Sequence, residues 1–218
     1  MGRSSAARQS LVDSAGELIF ERGYAAVGVA EICARAGVQK GSFYHFFPSK
    51  QALAVAAIDA YWAGQRACWA ELLGDERRAP LDRLRAVFAA NVDAQTADKR
   101  ERGVLRGCLL GNLALEMSSH DQVVRAHLDG VFTEQVELVR GILDAAAAEG
   151  TLDPRRADTG TALALLAQLE GMVLFAKVAN DPIVLDRLWA NALRLLAVES
   201  TVDGASPVAR KEVVARPA

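Results

Sequence analysis

The sequence predicts an all-α protein: a three-helix head containing a helix-turn-helix, set on a larger antiparallel helical body, with about nine helices in total. Three observations predict it. Apolar residues recur with helical period along nearly every segment, β-type alternation never persists beyond a few residues, and the breaks fall at glycine, proline and capping residues. With 218 residues, 51% of them hydrophobic and 24% charged, the chain can bury a core instead of staying disordered.

Leu11, Ala15, Leu18 and Ile19 form the stripe of a first amphipathic helix, with Ser4 or Ser5 able to cap its start and Gly23 placed to end it. A short second helix is expected from Val29 to Ala36, stopped by Gly37, and a third from Lys40 to Phe46, closed by Pro48. Ser49 is the expected N-cap of a long fourth helix reaching Leu73. The stretch 74–80 reads as a turn, with Pro80 suited to the first turn of helix five, which should end near Ala97. Residues 98–107 read as a charged loop, followed by helix six over Cys108 to Met117. Ser119 and Gln122 suggest a capping box for helix seven, which runs to Glu149 with Gly150 as its stop. Helix eight is expected from Arg155 to Asn180 and helix nine from Ile183 to Val198. The tail 199–218 is expected to be disordered.

Composition removes several classes of function. Cys33, Cys68 and Cys108 stand far apart and form no CxxC pair, against both a disulfide framework and a zinc site. No run of about 18 consecutive apolar residues exists, against a membrane span. The start MGRSSAARQS lacks the apolar segment of a secretion signal, so a cytoplasmic protein is expected. No nucleophile–base pairing, phosphate loop or metal spacing suggests an enzyme, and no cofactor is expected. His120 and His127 share a face of helix seven at i, i+7, too far apart to cooperate directly. Net charge is −2, but residues 1–50 carry six Lys/Arg against four acids, a mildly basic head on an acidic body.

Residues 29–47 hold the strongest pattern: two short helices joined by Gly37-Val38-Gln39, where glycine permits the tight corner of a helix-turn-helix. Ile32, Phe43 and Phe47 supply apolar anchors toward Leu18 and Ile19. The opposite side of the second helix then offers Gln39, Lys40, Gly41, Ser42, Tyr44 and His45 to phosphates and base edges of double-stranded DNA, with Lys50 within reach of a backbone phosphate.

The stretch GYAAVGVAEICARAGVQKGSFYHFFPSKQAL (23–53) resembles the DNA-binding signature of the tetracycline-repressor family. The resemblance implies an all-helical homodimer in which residues 1–50 bind DNA and residues 51–198 receive a ligand and dimerise, most members being repressors released by a small-molecule effector. One departure stands out. Family members usually carry Thr or Ser at the start of the second helix, whereas this chain has Val29 after Gly28, leaving one phosphate contact to backbone N–H groups.

Farther on, RGCLLGNLALEMSS (106–119) resembles a block in the branch that includes electrophile- and acrylate-responsive regulators, where a cysteine at the position of Cys108 can sense reactive compounds. The helix dipole and Arg106 would favour a Cys108 thiolate. Two mechanisms therefore stand side by side: reversible effector binding, or modification of Cys108. Cys108, Asn112 and Glu116 recur at i, i+4, i+8 as a polar stripe on an apolar helix; the stripe either faces water and bonds across the core, or lines an effector pocket. Tyr61, Trp62, Trp69, Phe88, Met172 and Phe175, bulky among alanines, are further pocket candidates as well as candidates for plain core. Cys33 and Cys68 read as packing residues.

Helices eight and nine are apolar over wide faces, more than one side of a monomer needs, which suggests a four-helix bundle between two chains. Burial of Leu166, Leu169, Val173, Leu188 and Leu195 at about 25 cal/mol per Å² would support an obligate dimer, and a two-fold dimer in turn a palindromic operator.

Overall fold

A computed structural model describes the backbone of residues 2–198 and the side chains from residue 5. The tail expected to be disordered lies outside the described residues. Within them the chain is nine α-helices and two short 3-10 segments, with no strand. The helices are α1 (Gly2–Arg22), α2 (Val29–Arg35), α3 (Lys40–Phe46), α4 (Lys50–Leu73), α5 (Pro80–Arg102), α6 (Leu109–Met117), α7 (Gln122–Ala148), α8 (Thr159–Ala179) and α9 (Leu188–Leu196).

Local chemistry accounts for most of the boundaries. Gly23, Gly37 and Gly150 take positive φ just past α1, α2 and α7, where a Cβ would be strained. Ser49 caps α4 by accepting from the Ala52 N–H at 3.0 Å, and Pro80 opens α5. α1 already begins at Gly2, so the backbone of both Ser4 and Ser5 lies inside its first turns.

Four expected boundaries are corrected. α5 does not stop near Ala97; it runs through the charged stretch to Arg102, ending at Gly103 with φ +77. Lys, Arg and Glu are good helix formers, Asp98 pairs with Arg102 one turn on, and three cations sit at the negative end of the helix dipole. α7 is capped by Asp121, which accepts from the Val124 N–H at 3.0 Å, and not by Ser119. Residues 118–121 are still closing α6, with the His120 and Asp121 N–H groups both bonded to the Met117 carbonyl at 2.9 Å. α8 starts at Thr159 because Asp153 and Pro154 first form a 3-10 turn and Asp158 then caps the helix through the Thr161 N–H at 2.7 Å. Pro182–Arg187 is likewise a 3-10 segment, so α9 begins at Leu188.

α1 lies along α4, and α2 and α3 close the head around Leu11, Leu18, Ile19, Ile32, Phe43 and Phe47, all buried. The other half of α4 packs with α5 and α7, and α8 lies on α7 and α9. α4 therefore belongs to both halves: Leu53 and Ala57 sit beside the head, while the Trp62 indole donates to Glu134 of α7 at 2.6 Å. α8 is long and apolar enough, by length and composition, to cross a membrane, although polar residues interrupt its apolar run. It is packed here by α7 and α9 and carries Glu170 and Lys177.

Candidate functional site: a reading helix and the cavity behind it

The head is fixed from inside. Gly37 turns the chain at φ +67 and the Val38 N–H bonds the Cys33 carbonyl at 2.9 Å, which sets α3 across α2. Phe43 is fully buried and Phe47 nearly so, which orients everything else on α3. Gln39, Lys40, Gly41, Tyr44 and His45 face outward, Ser42 is half-buried, and the Tyr44 ring stands edge-on to Phe43 with 63% of its surface free. No side chain caps α2: its N-cap is Gly28, so its first N–H groups remain available to an anion. Lys50 does not point outward. Its ammonium donates to the Tyr24 carbonyl and lies 3.9 Å from the centre of the Tyr24 ring, and partial burial pulls its pKa below the usual lysine value.

Behind the head lies a cavity of about 210 Å³ between α1, α4, α5, α7, α8 and the start of α6. Tyr61, Trp69 and Cys108 line it, together with Phe20, Gln65, Asn91, Gln95, Gln135 and Glu170. A cavity of roughly 150 Å³ accepts benzene, so this one suits a molecule of about ten non-hydrogen atoms. A second pocket of about 260 Å³, nearly all apolar, adjoins it; Cys108 and Glu170 stand in the wall between the two.

The other pocket candidates fall elsewhere. Trp62 is buried against Trp69 and bonded to Glu134, and Phe88 is packed edge-on to Trp189, so both are core. Met172 is half-buried, with its sulfur accepting from Gln168 and Asn191, and Phe175 is exposed. Asn112 lines the second pocket, holding the Arg106 carbonyl at 2.9 Å and the Lys177 ammonium at 2.8 Å. Glu116 leaves the cavity altogether: its carboxylate accepts the backbone N–H groups of Tyr24 at 2.8 Å and Ala25 at 2.7 Å, joining the body to the head. The polar stripe of α6 thus splits, because one helix spans from the cavity wall to the head.

The expected thiolate is corrected as well. Cys108 is the N-cap of α6, its sulfur accepting from the Gly111 N–H at 3.5 Å, but burial and the neighbouring Glu170 carboxylate push its pKa well above the ordinary thiol value. Arg106 gives no help, being held by Asp98 at 2.9 Å and Glu17 at 3.1 Å with its guanidinium over Phe20. Cys33 is buried as expected, whereas Cys68 is exposed.

Glu170 went unread in the sequence, although a lone acid within ALALLAQLEGMVLFAKV was a visible signal. Gly111 was another: a glycine inside a helix, where a Cβ would come 2.7 Å from Glu170 Oε2. Burial raises the Glu170 pKa above the ordinary carboxylate value.

An outward-facing reading helix on an all-helical body with a cavity behind it defines a helix-turn-helix DNA-binding transcription regulator. The family model of bacterial regulatory proteins, tetR family, matches residues 11–57, and that of the tetracyclin repressor-like C-terminal domain matches residues 80–192. The chain belongs to the tetR family. It is 36% identical over 179 residues to the transcriptional regulator AcuR of Cereibacter sphaeroides, covering 82% of this chain and 80% of that one. It is 31% identical over 180 residues to the HTH-type transcriptional repressor DhaR of Mycobacterium sp. strain GP1, covering 83% and 87%. Among solved structures, regulatory protein TetR from Rhodobacter sphaeroides superposes with a TM-score of 0.78 at 34% identity, covering 87% of this chain and 98% of that one. The reduced form of E. coli NemR gives 0.77 at 26%, covering 88% and 99%.

Proposed function

We propose that the chain is a cytoplasmic, homodimeric repressor that leaves a palindromic operator when a small molecule occupies the cavity behind the head. Residues 1–50 are its DNA-binding part and residues 51–198 its effector-binding and dimerising part, with α4 shared between them. The observation that carries the effector reading is the placement of α6, with Cys108 at the cavity wall on one end and Glu116 gripping the Tyr24 and Ala25 N–H groups on the other. A ligand that displaces the first turn of α6 changes the hold on the corner between α1 and α2, and with it the spacing of two reading helices in a dimer.

We assign a dimer face other than the one expected from the sequence. Leu166, Leu169, Val173 and Leu188 are buried within the chain, and of the five expected residues Leu195 alone is exposed. In this part of the chain the large apolar residues left uncovered are Leu163, Leu174, Phe175 and Val178 of α8, with Ile183 and Leu195 beyond it; Leu115, Val123 and Val104 are exposed elsewhere. This set, on α8, the 3-10 segment after it and α9, is the face we assign to the partner copy.

Reversible binding is favoured over modification of Cys108, because a thiol whose pKa is pushed up holds little thiolate at neutral pH. Gel-shift titration of the purified protein on its own upstream region against random duplex, across salt, tests the DNA reading. A steep salt dependence with preference for the upstream region is expected; equal binding to random DNA would refute it.

A further inference from the structure

We propose that the cavity takes a small amine, its protonated nitrogen received by the carboxylate of Glu170 and a further donor by the side-chain carbonyl of Gln95. The inference rests on the reading of this cavity as the effector site and adds the chemical class of the occupant.

Gln95 supplies the first observation. It is 93% buried, with relative exposure of 7%. Its Nε2 donates to the Gly107 carbonyl at 3.0 Å, which fixes the amide so that Oε1 is the free atom. That oxygen is buried, belongs to a residue that lines the cavity, and has no hydrogen-bond partner. A buried carbonyl without a donor is costly to keep, and a ligand N–H would supply what is missing.

Glu170 supplies the second, independently. It lies in the same wall, on a helix that is otherwise apolar around it, and Gly111 leaves the space its carboxylate occupies. The charged side chains around it do not neutralise it. Arg106 is spent on Asp98 and Glu17, and Lys177 donates to Asn112 in the wall of the adjoining pocket. The Tyr61 hydroxyl and Cys108 thiol beside it are neutral groups whose pKa values are raised. A half-buried carboxylate whose neighbouring hydrogen-bond donor is the neutral Cys108 thiol calls for a cation, and the rings of Tyr61 and Trp69 in the same wall attract one as well. An anionic molecule in this cavity would meet the Glu170 carboxylate, with Arg106 already paired to Asp98 and Glu17. A neutral apolar one would leave Glu170 and Gln95 as they are.

The test uses three probes of nearly equal size, benzylamine, benzyl alcohol and benzoate, titrated calorimetrically into the full-length protein at neutral pH. Benzylamine is expected to bind at least about tenfold more tightly than benzyl alcohol, with benzoate weakest. Glu170→Gln should bring benzylamine down to the level of benzyl alcohol, and Gln95→Leu should weaken benzylamine several-fold by a separate route. Benzoate binding as well as benzylamine, a benzylamine advantage that survives Glu170→Gln, or no binding of any probe up to about 10 mM would each overturn the proposal. Operator retention is followed on the same samples. Glu170-dependent benzylamine binding without operator release supports the amine site while removing the effector role; operator release by a probe indifferent to Glu170 overturns the amine site while keeping that role.

Discussion

The carboxylate of Glu116 accepts the backbone N–H of Tyr24 at 2.8 Å, tying α6 to the corner between α1 and α2 across 92 positions of sequence. Gly23 makes the contact possible. At φ +86 it presents two successive N–H groups to the carboxylate, and a Cβ there would come 3.0 Å from Glu116 Oε2. Glu116→Ala should lower unfolding free energy by about 2 kcal/mol, since two donors lose a charged acceptor, and Glu116→Gln by about half that. Urea denaturation measures both. The same variants should uncouple operator release from effector binding; full stability together with normal release would show the contact to be incidental.

The outward side of α3 should carry affinity without carrying stability. Tyr44→Ala is expected to change unfolding free energy by less than about 1 kcal/mol while costing about 1–3 kcal/mol in operator binding. Lys40→Ala should weaken all DNA more evenly and reduce the slope of log K against log salt by about 1. Fluorescence anisotropy at several salt concentrations separates the two effects. Unchanged binding in both variants would move the contact surface off α3.

Gly111 and Glu170 should show strong coupling. Alone, Gly111→Ala gains about 1 kcal/mol in helix propensity but brings a methyl to 2.7 Å from Glu170 Oε2, so the carboxylate must swing aside and part of the gain is lost. With Glu170→Ala as background the clash is gone, and the same change should keep the whole gain. A double-mutant cycle by thermal denaturation checks this coupling; additivity would deny the close approach.

The raised pKa of Glu170 carries a definite sign. Folding holds its proton more tightly than the unfolded chain does, so its ionisation penalty is absent below the ordinary glutamate value of 4.5 and grows as pH rises through the raised folded value. Glu170→Gln should therefore raise the midpoint of thermal unfolding at pH 8 more than at pH 4. For the same reason Cys108 should react with iodoacetamide at pH 7.5 more than about tenfold slower than exposed Cys68, and faster in Glu170→Gln. Mass spectrometry of the two peptides reads the rates, and a fast Cys108 would favour the chemical switch over reversible binding.

Charge on the uncovered apolar face should separate assembly from folding. Phe175→Arg or Val178→Glu is expected to yield a folded monomer by light scattering, with operator affinity reduced through lost bivalency. Leu169→Ala, inside the chain, should cost about 2–5 kcal/mol in stability instead. A dimer that survives both charged variants would place the interface elsewhere.

Much of this protein follows from local rules, and those parts were legible in the residues. Gly37, the buried Phe43 and Phe47, and the polar positions between them define the reading helix within about ten residues, because helical period alone decides which side chains share a face. Ser49, Pro80 and Gly150 marked helix ends for the same reason. Where two local preferences competed, the weaker signal misled. The charged stretch after Ala97 looked like a loop by its polarity, yet its residues favour helix and its ion pair with Asp98 holds the last turn of α5 together.

Tertiary structure alone decided the cavity and the partner face. α8 is apolar nearly all round, so its periodicity could not say that Leu166, Leu169 and Val173 turn inward while Leu174, Phe175 and Val178 remain outside. Nor could spacing reveal that Gln95, Cys108 and Glu170 meet around one space, or that Glu116, two turns along α6 from Cys108, reaches the head instead. Helix formation depends on neighbours three and four residues away, whereas the rotation of one helix against four others depends on packing among residues far apart in the chain.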